Sequence, residues 1–119
     1  MFFIMTLALL SQCEKDEPTP VVNIPDNNFQ NALIEEGVDT NGDGLISSEE
    51  AEAVSLLNVD GILFTNDPTH GIADLTGIEA FTYLDTLKCN NNRLTSLDVS
   101  ANTALKYLAC RNNLLQDYT

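Results

Sequence analysis

Leu84-Asp85-Thr86-Leu87-Lys88-Cys89-Asn90-Asn91-Asn92-Arg93-Leu94 is answered, 21 residues further on, by Leu105-Lys106-Tyr107-Leu108-Ala109-Cys110-Arg111-Asn112-Asn113-Leu114-Leu115. One offset carries Leu84 to Leu105, Leu87 to Leu108, Cys89 to Cys110, Asn92 to Asn113 and Leu94 to Leu115. Agreement at five positions in one register leaves little room for chance. A continuous amphipathic helix does not explain it, because Asn90, Asn91 and Asn92 would break the helix. The apolar row of each unit instead faces inward and is buried only by stacking on a neighbouring unit. Asn92 and Asn113 then turn the chain and bond backbone groups left unpaired at the bend.

The pattern is the leucine-rich repeat L-x-x-L-x-L-x-x-N-x-L, with cysteine in the third apolar place and a period inside the usual range. Weaker copies extend it backwards. Ile72-Ala73-Asp74-Leu75 echoes Leu94-Thr95-Ser96-Leu97, and Val54, Leu57 and Val59 fit the strand half of a first unit, with Gly61 to His70 inserted on a loop. The expected fold class is therefore α/β, a short leucine-rich-repeat solenoid with a parallel β-sheet over residues 54–119. Strand alternation turns Thr86, Lys88, Asn90, Tyr107, Ala109 and Arg111 out of that sheet. Tyrosine and arginine are favoured at interfaces, so Thr86, Lys88, Asn90, Tyr107 and Arg111 form the candidate partner-binding strip. The same residues also suit a solvated strand face that meets no ligand.

Upstream lies a different chemistry. Asp39-Thr40-Asn41-Gly42-Asp43-Gly44-Leu45-Ile46-Ser47-Ser48-Glu49-Glu50 matches the twelve-residue EF-hand loop. Asp39, Asn41 and Asp43 supply oxygen at positions one, three and five, and Gly44 sits where the chain turns sharply. Leu45 offers its carbonyl, Ser47 acts directly or through water, and Glu50 closes the shell with two oxygens. Calcium, a hard cation, takes such an all-oxygen set, and a structural Ca2+ is the one cofactor expected. Aspartate, asparagine and glycine also favour turns, so a metal-free acidic turn stays open as an alternative. Asp26 can cap a first helix with an apolar face of Phe29, Ala32 and Leu33, ended by Gly37, and Ser48 to Ala53 forms a second. Residues 23–53 are thus read as a helix–calcium loop–helix cap on the N-terminal end of the repeats.

The N-terminus reads as an address. Phe2 to Leu10 is too short an apolar run to span a bilayer but suits an export signal over residues 1–12. It ends at Cys13, and Pro18, Thr19 and Pro20 lie in a flexible tether over residues 13–22. An apolar helix packed on the domain, with Cys13 an ordinary thiol, is the alternative. Cys89 and Cys110 share a repeat position, which favours core packing over a disulfide.

The formal net charge of −13 makes nucleic-acid binding improbable, since phosphate recognition needs a basic face. The basic residues other than Lys15 all lie at or beyond Lys88, so the acidic excess belongs to the first two thirds of the chain.

Several of these stretches together resemble Bacteroidetes-type leucine-rich-repeat surface lipoproteins. They are Cys13-Glu14-Lys15-Asp16-Glu17, Ile24-Pro25-Asp26-Asn27-Asn28-Phe29, the loop from Asp39, the run from Ile72 to Phe81, and Leu94-Thr95-Ser96-Leu97-Asp98-Val99-Ser100 with Asn102 and Thr103. The resemblance implies a lipid on Cys13 that holds the chain to the membrane, display at the outer-membrane surface, and a right-handed solenoid with its sheet on the concave side. Proteins of that kind usually carry more repeats, so an array stopping at Gln116-Asp117-Tyr118-Thr119 is expected to be a fragment of a longer one.

Catalysis is not expected. His70 is the only histidine and stands in a loop, no serine or cysteine lies in a nucleophile motif, and calcium accounts for the clustered carboxylates. The leading reading is a non-catalytic module binding a host or cell-surface protein or a glycan, and the other is a calcium-stapled spacer or gene fragment with no partner of its own.

Overall fold

A computed structural model describes residues 19–61 and 71–115. The signal and Cys13, the insertion with His70 and the final Gln116 to Thr119 lie outside the described residues. Helices α1 (Asn27–Glu35) and α2 (Ser48–Glu52) precede strands β1 (Leu56–Asn58), β2 (Thr86–Lys88) and β3 (Tyr107–Ala109), with a 3-10 turn at Ile78–Ala80.

The three strands form one parallel sheet in the order β1-β2-β3. Its register aligns Leu57, Leu87 and Leu108 in one row, between the rows Leu56–Thr86–Tyr107 and Asn58–Lys88–Ala109. Successive side chains of a strand point to opposite faces. The leucine row therefore turns into the core, while its two flanking rows face away. β2 and β3 repeat at the expected offset of 21 residues, whereas β1 lies 30 residues before β2. The surplus falls where the sequence places its insertion.

Leu57 and Leu87 are buried in the common core, Leu87 between the rows on either side of it. Leu108, which occupies the same row, is 38% exposed and among the described residues is covered from the Leu87 side alone. Burying a leucine fully contributes about 1.5–3 kcal/mol, so the inner rows carry most of the sheet's stability.

Asparagines close each bend. Asn92 donates to the carbonyls of Val59 (2.9 Å), Cys89 (3.2 Å) and Asn90 (3.1 Å) and accepts from the Ile72 amide (3.0 Å). One unit later Asn113 donates to Cys89 (2.9 Å), Cys110 (3.1 Å) and Arg111 (3.2 Å) and accepts from the Leu94 amide (3.0 Å). Asn91 and Asn112 take left-handed φ values of 61° and 59°, a conformation asparagine tolerates better than most residues. Cys89 and Cys110 are free thiols in the packed rows; burial, with smaller effects from Cys110 and Asp60, pushes the Cys89 thiol up to about 12.

The N-terminal segment packs into the same core. Phe29 and Leu33 of α1 are fully buried and Ala32 packs against them, as the amphipathic spacing predicts. Gly37, at φ 84°, carries the chain out of α1. Ser47 and Glu50 make a reciprocal capping box on α2. An isolated antiparallel bridge between Val21 and Ser47 ties the entering chain to α2.

Candidate functional site

The open face of the sheet presents a grid. Leu56, Thr86 and Tyr107 form its first row, with Leu56 57% and Tyr107 56% exposed. Asn58, Lys88 and Ala109 form the second. Beyond the strands a third row follows: Asp60 Oδ1 accepts from the Asn90 amide (2.7 Å), and Asn90 Oδ1 accepts from the Arg111 amide (2.7 Å). Each rung of that row aligns the next.

Of the strip expected from sequence, Thr86, Lys88, Tyr107 and Arg111 do share this face. Asn90 lies beside them, but its Oδ1 holds the backbone of the next unit. The sequence reading missed the β1 column of Leu56, Asn58 and Asp60. Alternation about Leu57 and Val59 was the available signal, and the 30-residue offset hid the alignment. The side chains of Lys88 and Arg111 have no hydrogen-bond or ion-pair partner among the described residues.

The acidic loop is wound on its own backbone amides. Gly42 and Gly44, at φ 75° and 82°, let the chain curl so that Asp39 accepts from both of their amides (3.0 and 2.8 Å). Asn41 accepts from the Asp43 amide and Asp43 from the Leu45 amide. Gln30 of α1 donates to the Gly44 carbonyl (2.7 Å). Glu50, only 8% exposed, accepts from the amides of Ser47 (2.9 Å), Thr40 (2.9 Å) and Asn41 (3.3 Å) and from the Thr40 hydroxyl (3.1 Å). The Ser47 amide, helped by Asn41 and Thr40 and opposed by burial, holds the Glu50 carboxyl below the usual range.

Asp39, Asn41, Asp43, the Leu45 carbonyl, Ser47 and Glu50 offer oxygen throughout, a donor set that fits calcium chemistry. Among the described residues, however, no three His, Cys, Asp or Glu side chains gather closely enough to hold a metal ion. Both Glu50 oxygens face loop amides, and would have to exchange part of that bonding for an ion.

A second acidic group lies on the connecting segments, where Asp74, Glu79 and Asp98 line an open hollow of about 310 Å³. The Thr76 hydroxyl and amide hold Asp74 below the usual carboxylate range, and Ser100 does the same for Asp98. Both stay ionised near neutral pH, which does not suit a general acid.

No family model and no curated relative matches the chain. Solved structures do. The functional domain of InlJ from Listeria monocytogenes, described as including a cysteine ladder, matches 80% of this chain at 34% identity and a TM-score of 0.63. An internalin, InlF, from the same organism matches 88% at 23% identity and 0.66. The CBM51-2 and INT domains of Clostridium perfringens ZmpB match 76% at 25% identity and 0.61. This chain spans 17–29% of the length of these structures. The likeness to internalins, which are leucine-rich-repeat proteins, shows a leucine-rich-repeat-like fold built on a parallel three-stranded sheet.

Proposed function

We propose that this chain is a non-catalytic binding module, a short leucine-rich-repeat solenoid whose open sheet face recognises a protein or glycan. One observation carries the reading: three strands in register expose Leu56, Thr86 and Tyr107 in one row beside Lys88 and Arg111, which pair with no side chain among the described residues. An exposed aromatic and an exposed leucine beside two cations form the mixed apolar and charged surface that interfaces use. The likeness to internalins and to the ZmpB domains supports a binding role.

Two further parts belong to this reading. A lipid on Cys13 would tether the module at the outer-membrane surface, supported by the apolar run before that cysteine and the Glu14-Lys15-Asp16-Glu17 stretch after it. The loop from Asp39 to Glu50 would hold one structural calcium, supported by its all-oxygen donor set; the ion would neutralise the carboxylates and tie α1 to α2. Metabolic labelling with a fatty-acid analogue tests the tether, and label retained by Cys13→Ala would refute it.

The binding role is tested on protein and glycan arrays with the wild type and Tyr107→Ala. Specific binding that weakens about tenfold or more in the variant is expected, as for an interfacial aromatic anchor. Array-wide silence, or binding that ignores the substitution, would leave the spacer reading.

A further inference from the structure

Lys88, Lys106 and Arg111 stand on or beside β2 and β3, and no side chain among the described residues pairs with any of them. The two acids nearest this face are already engaged. Asp60 holds the Asn90 amide, and Asp85 accepts from the Thr86 hydroxyl (2.8 Å). Other described acids sit in the cap, as do Asp39, Asp43 and Glu50, or on the connecting segments, as do Asp74 and Asp98. Of the four described basic residues of a chain with a formal net charge of −13, three therefore stand on or beside these two strands, Arg93 being the fourth.

The spacing is informative. Arg111 lies one strand over and two residues beyond the level of Lys88, because Lys88 pairs with Ala109. Strand separation and rise put their Cα atoms about 8 Å apart. Carboxylates two residues apart on an extended chain are about 7 Å apart, within reach of both flexible side chains. The neighbouring Leu56–Thr86–Tyr107 row offers apolar contact on the same face.

We propose that the sheet face binds an acidic protein segment, with carboxylates on Lys88 and Arg111 and an apolar side chain on Tyr107 and Leu56. The proposal rests on the reading of this face as a binding surface and narrows its partner. Leu56 favours a protein over a sulfated glycan or an anionic lipid headgroup, which bring no aliphatic side chain to that row. The chain's overall negative charge does not forbid an acidic partner. At physiological ionic strength charges are screened beyond about 8 Å, so the acids of the N-terminal segment act weakly here, and the local balance lies between Lys88, Lys106 and Arg111 and the two acids Asp60 and Asp85.

The test uses the full chain and a short fluorescent peptide alternating glutamate and leucine, followed by anisotropy at low and high salt. The comparison probes are its lysine–leucine counterpart, a heparin-derived oligosaccharide and phosphatidylserine vesicles. The acidic peptide is expected to bind about tenfold or more tighter than its lysine counterpart and to weaken at high salt. Lys88→Gln with Arg111→Gln, checked for an unchanged melt, is expected to reduce that binding about tenfold or more.

Preference for heparin or vesicles, or no binding of the acidic peptide, would overturn the proposal. If the lysine peptide binds instead and is lost in Tyr107→Ala, the face still binds and the acidic partner class alone fails. If the acidic peptide binds the wild type, the Gln pair and Tyr107→Ala equally, the face itself is refuted.

Discussion

The Asp26 carboxylate accepts a hydrogen bond from the Ala73 amide at 2.8 Å, across 47 residues of chain. The same oxygen, Oδ2, takes the Asp74 amide (3.0 Å), while Oδ1 caps α1 through the amides of Asn28 (2.8 Å) and Phe29 (3.3 Å). One side chain thus starts the first helix and fastens it to the first connecting segment of the repeats. Asn28 adds a second tie, donating to the Gly71 carbonyl (2.8 Å). The N-terminal segment and the repeats are joined by polar bonds at their rim as well as by a common core.

Replacing Asp26 with alanine is expected to cost about 2–3 kcal/mol, the loss of a helix cap plus two amides left without their acceptor. Asp26→Asn keeps one acceptor oxygen and should fall between the two. Urea denaturation measures both. A midpoint unchanged in Asp26→Ala would show that water replaces the carboxylate without loss.

Asn92 and Asn113 make equivalent bonds but stand in different surroundings. Asn92 is 8% exposed, and its partners are buried between two units. Asn113 is half-buried at the β3 side. Asn92→Ala is expected to destabilise by about 2–4 kcal/mol, since buried amide and carbonyl groups lose their only side-chain partner, and Asn113→Ala by about 1 kcal/mol. Equal losses in denaturant would contradict this ranking.

Much of this was legible in the sequence, for a definite reason. Leu84 to Leu115 repeats in one register, and a fixed period forces both the inward row and the turn asparagines. Asp26 was legible by half: capping is local and shows in sequence, whereas its bond to Ala73 requires the folded path of the chain. Leu56 and Asn58 were hidden because the insertion lengthens the first unit, so their alignment with Thr86 and Lys88 appears only in the sheet. The loop pattern names metal ligands by position, and nothing in it tells that Glu50 can turn to the amides of Ser47, Thr40 and Asn41.

Glu50 gives the chain an acid-sensitive point. Its carboxyl is held below its ordinary value of 4.5 in the folded protein, so its contribution to stability is complete above that value and is lost as pH falls through the lowered folded one. Thermal melts in chelator should therefore drop as pH falls below the ordinary carboxylate range. In Glu50→Gln, which cannot titrate, the drop should be smaller. An identical pH profile in the two proteins would place the acid sensitivity elsewhere.

Calcium and the amides compete for the same Glu50 oxygens, so the affinity of the loop should be modest. An ion gains Asp39, Asn41, Asp43, the Leu45 carbonyl and Ser47, and relieves repulsion among carboxylates held on one turn. Against that, Glu50 gives up bonds to Thr40 and Asn41 that stabilise the loop without metal. Calorimetric titration of the chain is expected to show one calcium per chain. At a hundredfold excess over the dissociation constant, linkage adds about 2.7 kcal/mol to stability and raises the melting temperature accordingly. Asp39→Ala should abolish both effects. Glu50→Gln should weaken binding, and by less than a ligand free of competing bonds would. If no heat appears and the melt is the same in calcium and in chelator, the Glu50–amide arrangement is the working state of the loop, a turn fastened by its own backbone.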